Sequence, residues 1–214
     1  MDKIKALIFD FDGVIIDSEK IHIDSTTASY AEVGIKLTTS DINIIYGRHP
    51  KTYNNILSKK YNFNKRILFQ KQCQKYYSKI YKAPIFPKTL EIIKYFSENL
   101  LISICTATNR DIVDKVLNIH KLSKHINSII SYGDFIKSKP SAEPYEKICS
   151  NLKLPPTACL AFEDSLIGIT SANSAGLKCV GLKNDYNTHE EIKKAQYIFD
   201  INKYSIENIN KILY

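Results

Sequence analysis

The sequence contains no run of about 18 uninterrupted apolar residues, so it offers no candidate membrane-spanning helix, and no membrane partner is expected. Met1 leads directly to Lys3, Lys5 and a short apolar segment, without the apolar h-region of a signal peptide, and the expected location is the cytoplasm. The five cysteines (Cys73, Cys105, Cys149, Cys159, Cys179) are odd in number and form no C-x-x-C pair. Three lie within apolar runs or at their ends, as reduced core residues do. No His/Cys set stands at zinc spacing. The excess of 30 Lys+Arg over 22 Asp+Glu, a net charge of +8, attracts phosphate-bearing partners of any kind. The basic residues are mostly lysines scattered among Asn and Ile, and no basic run carries interleaved aromatics, so no nucleic acid partner is expected. Internal repeats and low-complexity segments are absent too.

What is present is ordinary globular material: 44% apolar and 24% charged residues over 214 positions, enough for one good-sized core and a smaller accessory unit. Short apolar runs at Ile4–Phe9, Leu101–Cys105, Ser128–Ser131, Cys159–Phe162 and Cys179–Leu182, with a weaker one at Tyr197–Phe199, read as strands. Helical patterns separate them at Lys88–Asn99, Asn109–Ile119, Pro144–Leu152 and Leu166–Ala175, the last stopped by Gly176. Strand alternating with helix predicts an α/β fold with a parallel sheet covered on both faces, in which ligands lie beyond the carboxyl ends of the strands. Residues 17–83 break the alternation, with helical patterns such as Ile67–Tyr81 and no convincing strand, and Pro84 and Pro87 punctuate the return. The expected organisation is a catalytic core of residues 1–16 and 84–214 with an all-helical cap, residues 17–83, able to close over the site.

Polar clusters follow four of these segments: Asp10/Asp12, Thr106-Ala107-Thr108-Asn109, Lys139-Pro140 and Glu163-Asp164. Phosphoryl transfer needs a nucleophile, an acid/base, groups that hold phosphate oxygens and a cation held by carboxylates, and the four clusters supply all of them. Mg2+ prefers oxygen ligands, which Asp10, Asp164 and Glu163 offer. A carboxyl free in water titrates near 3.9, so whichever one carries a proton at pH 7 needs surroundings that raise it. Each motif alone reads equally well as a turn or a helix cap; their order and their common placement after apolar runs carry the case.

Phe9-Asp10-Phe11-Asp12-Gly13-Val14, Ile104-Cys105-Thr106, Lys139-Pro140 and Phe162-Glu163-Asp164-Ser165 with Gly168 together resemble the haloacid dehalogenase-like hydrolases. The branch in question has a helical cap and includes β-phosphoglucomutase and sugar-phosphate phosphatases. The resemblance implies a Rossmann-like core. It implies that Asp10 attacks phosphorus to form an aspartyl-phosphate and that Asp12 is the acid and base. It further implies that Thr106 and the backbone of the neighbouring Ala107, Thr108 and Asn109 hold phosphate, and that Lys139 offsets charge. Asp10, the Asp12 carbonyl, Glu163 and Asp164 would surround Mg2+. The expected activity is Mg2+-dependent hydrolysis of a small phosphorylated metabolite by a monomeric enzyme. The alternatives are a hexose-phosphate mutase and, in another class, a non-catalytic phosphate-binding module.

Two departures stand out, Ser138 where the family often has Gly before Lys-Pro, and Val14 where most phosphatases have Thr. In the cap, His22 lies at a spacing from Asp12 that resembles the mutase's cap histidine, with a surface or capping role as the alternative, and Glu19 either touches substrate or caps a helix. Gly47-Arg48 forms the loop expected to face the core; Arg48 offers a planar fork for phosphate or is a solvated loop arginine.

Overall fold

The computed structural model describes residues 3–46, 48 and 50–213, which divide into two compact units, Met1–Asp17 with Pro84–Tyr214, and Ser18–Ala83. In chain order, β1 (Ala6–Phe9) is followed by α1 (Glu19–Ala31), α2 (Thr39–Ile45), α3 (Pro50–Leu57) and α4 (Lys65–Tyr77). There follow α5 (Pro87–Phe96), β2 (Leu101–Asn109), α6 (Arg110–Ile119), β3 (Ser128–Tyr132), α7 (Glu143–Leu152), β4 (Cys159–Glu163), α8 (Leu166–Ser174), β5 (Lys178–Lys183), α9 (His189–Ile192), β6 (Tyr197–Asp200) and α10 (Ile206–Leu213). No helix among the described residues is long and apolar enough to cross a membrane.

The larger unit is a Rossmann-like α/β fold, a six-stranded sheet in the order β3-β2-β1-β4-β5-β6 with every pairing parallel. Every residue of β1 and β4 is buried, as strands covered by helices on both faces must be. Phe9 and Phe162 are register partners and their rings stack 4.5 Å apart, which locks the two central strands beside each other. One face of the sheet meets α7 and α8 through Tyr145, Ile148, Cys149, Ile169 and Ala172. The strand order reverses between β1 and β4, and in such sheets the crevice at the carboxyl ends of those two strands is where ligands bind. β2 runs four residues past Cys105, the end of its apolar run, and its register with β3 shifts between Cys105 and Asn109.

The smaller unit is all-helical, with its own core of Tyr30, Ile45, Tyr53, Leu57 and Leu68. Its last long helix starts and ends earlier than the apolar periodicity of Ile67–Tyr81 predicts. Asn64 caps the start by accepting from the N–H groups of Arg66 and Ile67, and beyond Tyr77 the chain tightens into a 3-10 turn, Ile80–Lys82. At the start of α2, Thr38 and Asp41 form a capping box. Asp41 is buried and accepts from Thr38, from Tyr61 Oη (2.7 Å) and from Lys60 Nζ (2.9 Å). Burial alone would raise this carboxyl, but the hydrogen bonds from Lys60, Thr38 and Tyr61 outweigh it and hold the group well below the ordinary range.

A carboxyl depressed in the folded state stabilises above its unfolded value of 3.8 and loses that contribution as pH falls below it. Asp41→Ala is therefore expected to lower stability by roughly 2 kcal/mol at pH 7. The gap to wild type should narrow by up to about 1.4 kcal/mol per pH unit once the pH drops below the unfolded value. Urea unfolding at pH 7, 5, 4 and 3 checks it; a gap that stays constant or widens toward acid contradicts the assignment.

Candidate active site

Asp10 directly follows β1, its N–H bonded to the carbonyl of Phe162 in β4, so the first carboxylate stands at the switch point of the sheet. The chain then turns sharply: Ile15 and Ile16 donate to the Phe11 carbonyl and Gly13 donates to Ile16. Gly13 has φ +75°, a region an L side chain rarely enters, and a Cβ there would run into the Asp164 carboxylate. Val14 is buried in this turn, where its carbonyl accepts from Thr89 Oγ1, so the residue contributes packing. Since β1 ends at Phe9, this turn and not an extended i, i+2 geometry brings Asp12 into place. Asp12 Oδ2 accepts a 2.5 Å hydrogen bond from Thr108 Oγ1, and the Thr108 N–H donates to Thr106 Oγ1 at 3.0 Å. Thr106 is buried, Ala107 is exposed and Asn109 is intermediate, caught between the end of β2 and the start of α6.

Lys139 reaches the same point from the far side of β2. Its ammonium donates to Asp10 Oδ1 (2.9 Å), Glu163 Oε1 (2.6 Å) and the Cys105 carbonyl (2.8 Å), which matches its three N–H bonds to three acceptors. The side chain is 7% exposed. Burial would lower this ammonium, but Asp10 and Glu163 hold it well above its usual range. Glu163 is wholly buried and also accepts from Tyr145 Oη at 2.7 Å; a Cβ at position 168 would overlap its carboxylate, so only glycine fits there. Ser165 caps α8 by accepting from the Gly168 N–H.

Asp10, Glu163 and Asp164 each present a carboxylate oxygen within 4.8 Å of the others, a cluster able to hold a metal ion. Burial, then the charge of Glu163, push Asp10 up to about 7 against the pull of Lys139. Burial, then Asp10 and Glu163, push Asp164 well above its ordinary value. Negative charge is thus crowded into a space that a single ammonium leaves unbalanced.

A family model for haloacid dehalogenase-like hydrolases matches residues 7–182, which takes in all four polar clusters. The chain belongs to that family. Protein CbbY of Rhodobacter capsulatus is 29% identical over 209 residues, covering 91% of this chain and 92% of its own. The phosphorylated carbohydrates phosphatase of Thermotoga maritima is 26% identical over 218 residues, covering 97% and 98%. The solved β-phosphoglucomutase of Clostridium difficile superposes with a TM-score of 0.75 at 27% identity, covering 98% of this chain and 97% of its own. This haloacid dehalogenase-like hydrolase is accordingly an enzyme, a phosphohydrolase, and the non-catalytic binding module considered from the sequence is set aside.

In the smaller unit of this hydrolase, His22 contacts Tyr53 Oη through Nε2 at 3.1 Å, while its Nδ1 lies 3.5 Å from Glu19. Arg48 is exposed and its guanidinium folds back to donate to the carbonyls of Asn43 and Ile44 in α2. Gly47, the other residue singled out there, lies outside the described residues. Three residues at the acidic cluster escaped sequence reasoning: Tyr145 on Glu163, and Asn184 and Asn187 on Asp164. Asn184 could have been found, because it follows the β5 run and polar residues after such runs line the carboxyl edge. Tyr145, inside a helix, carried no comparable signal.

Proposed function

We propose that this enzyme is a Mg2+-dependent phosphatase of small phosphorylated metabolites, sugar phosphates foremost, working through an aspartyl-phosphate on Asp10. In this reading the helical unit Ser18–Ala83 is the cap that sets substrate preference. The observation that carries it is the Asp10 carboxylate at the head of the sheet, held by Lys139 beside Glu163 and Asp164. The donor set fits a hard divalent cation: all-oxygen, clustered within 4.8 Å, under-neutralised, and kept clear on one side by Gly13. Asp10, Glu163, Asp164 and the Asp12 carbonyl would hold Mg2+. When bound, the ion would offset phosphate charge and favour ionised carboxylates.

The chain's own residues then divide the work. An Asp10 oxygen bonds to phosphorus as the bond from phosphorus to the leaving oxygen breaks, and Asp12 gives that oxygen its proton. Asp12, now a carboxylate, takes a proton from the water that attacks phosphorus; the bond to Asp10 breaks and phosphate leaves. The Thr108 hydroxyl steadies Asp12 between these two roles. In this reading Thr106 and the neighbouring N–H groups hold the phosphate oxygens, with the Thr108 N–H turned to Thr106 Oγ1, and Lys139 offsets the negative charge that Asp10 and the phosphate share.

The similarity to β-phosphoglucomutase favours a second reading, a hexose-phosphate mutase. A mutase must hold a second phosphate with a fixed cation, for which a bidentate arginine is well suited. Arg48 is engaged with carbonyls of the preceding helix, which supports the phosphatase. Incubation with Mg2+, β-glucose 1-phosphate and a trace of the 1,6-bisphosphate is expected to release free phosphate as the main product, and EDTA should abolish the reaction. Rapid glucose 6-phosphate formation with little phosphate release would establish the mutase instead, and full activity after exhaustive chelation would remove the metal from the reading.

A further inference from the structure

Just past β5 the chain closes a small polar loop around one residue of the acidic cluster. Asn184 Nδ2 donates to Asp164 Oδ2 at 2.9 Å, and Asn187 Nδ2 donates to the Asp164 carbonyl at 2.8 Å and to the Leu182 carbonyl at 2.9 Å. The two amides also hold each other: Asn184 Oδ1 accepts from the N–H groups of Tyr186 and Asn187, and Asn187 Oδ1 accepts from the Asn184 N–H. Asn184 is 8% exposed. The loop therefore grips Asp164 by side chain and backbone and ties it to the end of β5, while Gly13 makes room for the same carboxylate on another side.

The pairing within the cluster is unequal. Asp10 and Glu163 share the Lys139 ammonium, whereas Asp164 receives the neutral amide of Asn184. An ammonium beside a carboxylate competes with a metal ion for its charge; an amide donor fixes the carboxylate's orientation and leaves the charge in place. We infer that Asn184 and Asn187 are positioning residues that hold Asp164 ready as a ligand for the divalent cation, an inference that rests on the Mg2+ reading given above.

The test is Mg2+ binding to the metal-stripped full-length protein, followed by titration calorimetry and by the rise in Tm that Mg2+ causes, alongside the Mg2+ concentration for half-maximal phosphatase activity. Asn184→Ala is expected to weaken Mg2+ binding roughly tenfold or more, with Asn187→Ala acting in the same direction. Asn184→Ser separates positioning from loop folding, because its hydroxyl can still accept from the N–H groups two and three residues on but lacks the amide that reaches Asp164. Weakened binding in Asn184→Ser, with an unchanged metal-free Tm, supports the inference, and wild-type affinity in that variant overturns it. Asp164→Ala serves as the reference. If it loses Mg2+ binding while both asparagine series bind normally, the positioning role fails and the metal reading stands; if it binds as wild type does, both fail.

Discussion

Asp10→Asn is expected to lower turnover on any phosphomonoester by several orders of magnitude while leaving the fold in place. The amide keeps the shape of the carboxylate, and its oxygen can still accept from Lys139, which also retains Glu163 and the Cys105 carbonyl. What disappears is the oxyanion that bonds to phosphorus in the proposed mechanism, and the neighbouring carboxylates are otherwise engaged: Glu163 is wholly buried, Asp164 is held by Asn184 and Asp12 by Thr108. Activity of the purified variant, with circular dichroism as the check on folding, decides the matter. Near-wild-type activity in a folded Asp10→Asn sample contradicts the assignment of the nucleophile.

Lys139→Met should damage both stability and activity. The ammonium is buried against two carboxylates, and removing one partner of a buried ion pair costs about 3–5 kcal/mol because the other charges stay behind uncompensated. Methionine fills the volume of the lysine stem but donates nothing, so Asp10 and Glu163 face each other without a cation. Adding Glu163→Gln removes one of the stranded charges, and the double variant is expected to recover part of the lost stability without recovering turnover. Urea unfolding of the single and double variants, read as a double-mutant cycle, measures the coupling. Additive losses would mean that Lys139 and Glu163 do not act as a pair, and a fully active Lys139→Met would remove the lysine from the reaction.

The central strands were legible because burial on both faces leaves their residues no polar alternation, so β1 and β4 read as uninterrupted apolar runs ending in the acids. Asp10, Asp12, Glu163 and Asp164 announced themselves by breaking those runs. The extension of β2 to Asn109 was not legible, since Thr106-Ala107-Thr108 alternates polar with apolar and crosses a shift in register. The ends of α4 also eluded apolar periodicity, which cannot see that Asn64 supplies the first cap and that a 3-10 turn follows Tyr77. Tyr145 and Asn187 stayed hidden for a different reason: they act on the acidic residues and not on phosphate, and nothing in residue type separates such a partner from any other buried tyrosine or loop asparagine, whereas Asn184 at least stands directly after the β5 run.

The strand order also sets a problem of timing during synthesis. β1 is translated first yet lies between β2, which begins at Leu101, and β4, which ends at Glu163. At about 5–20 residues per second, a ribosome takes on the order of ten seconds to move from β1 to the end of β4. Until β2 emerges Ala6, Leu7, Ile8 and Phe9 have no lateral partner, and the second arrives only with β4, although the helical segment behind them already carries the residues of its own apolar core. The emerging chain thus trails a greasy, unpaired strand ahead of a segment able to collapse early. Nascent-chain chaperones are the natural holders of such a strand, and starving the cell of them should harm the yield of this protein more than that of one whose first strand pairs with the next across a short connection.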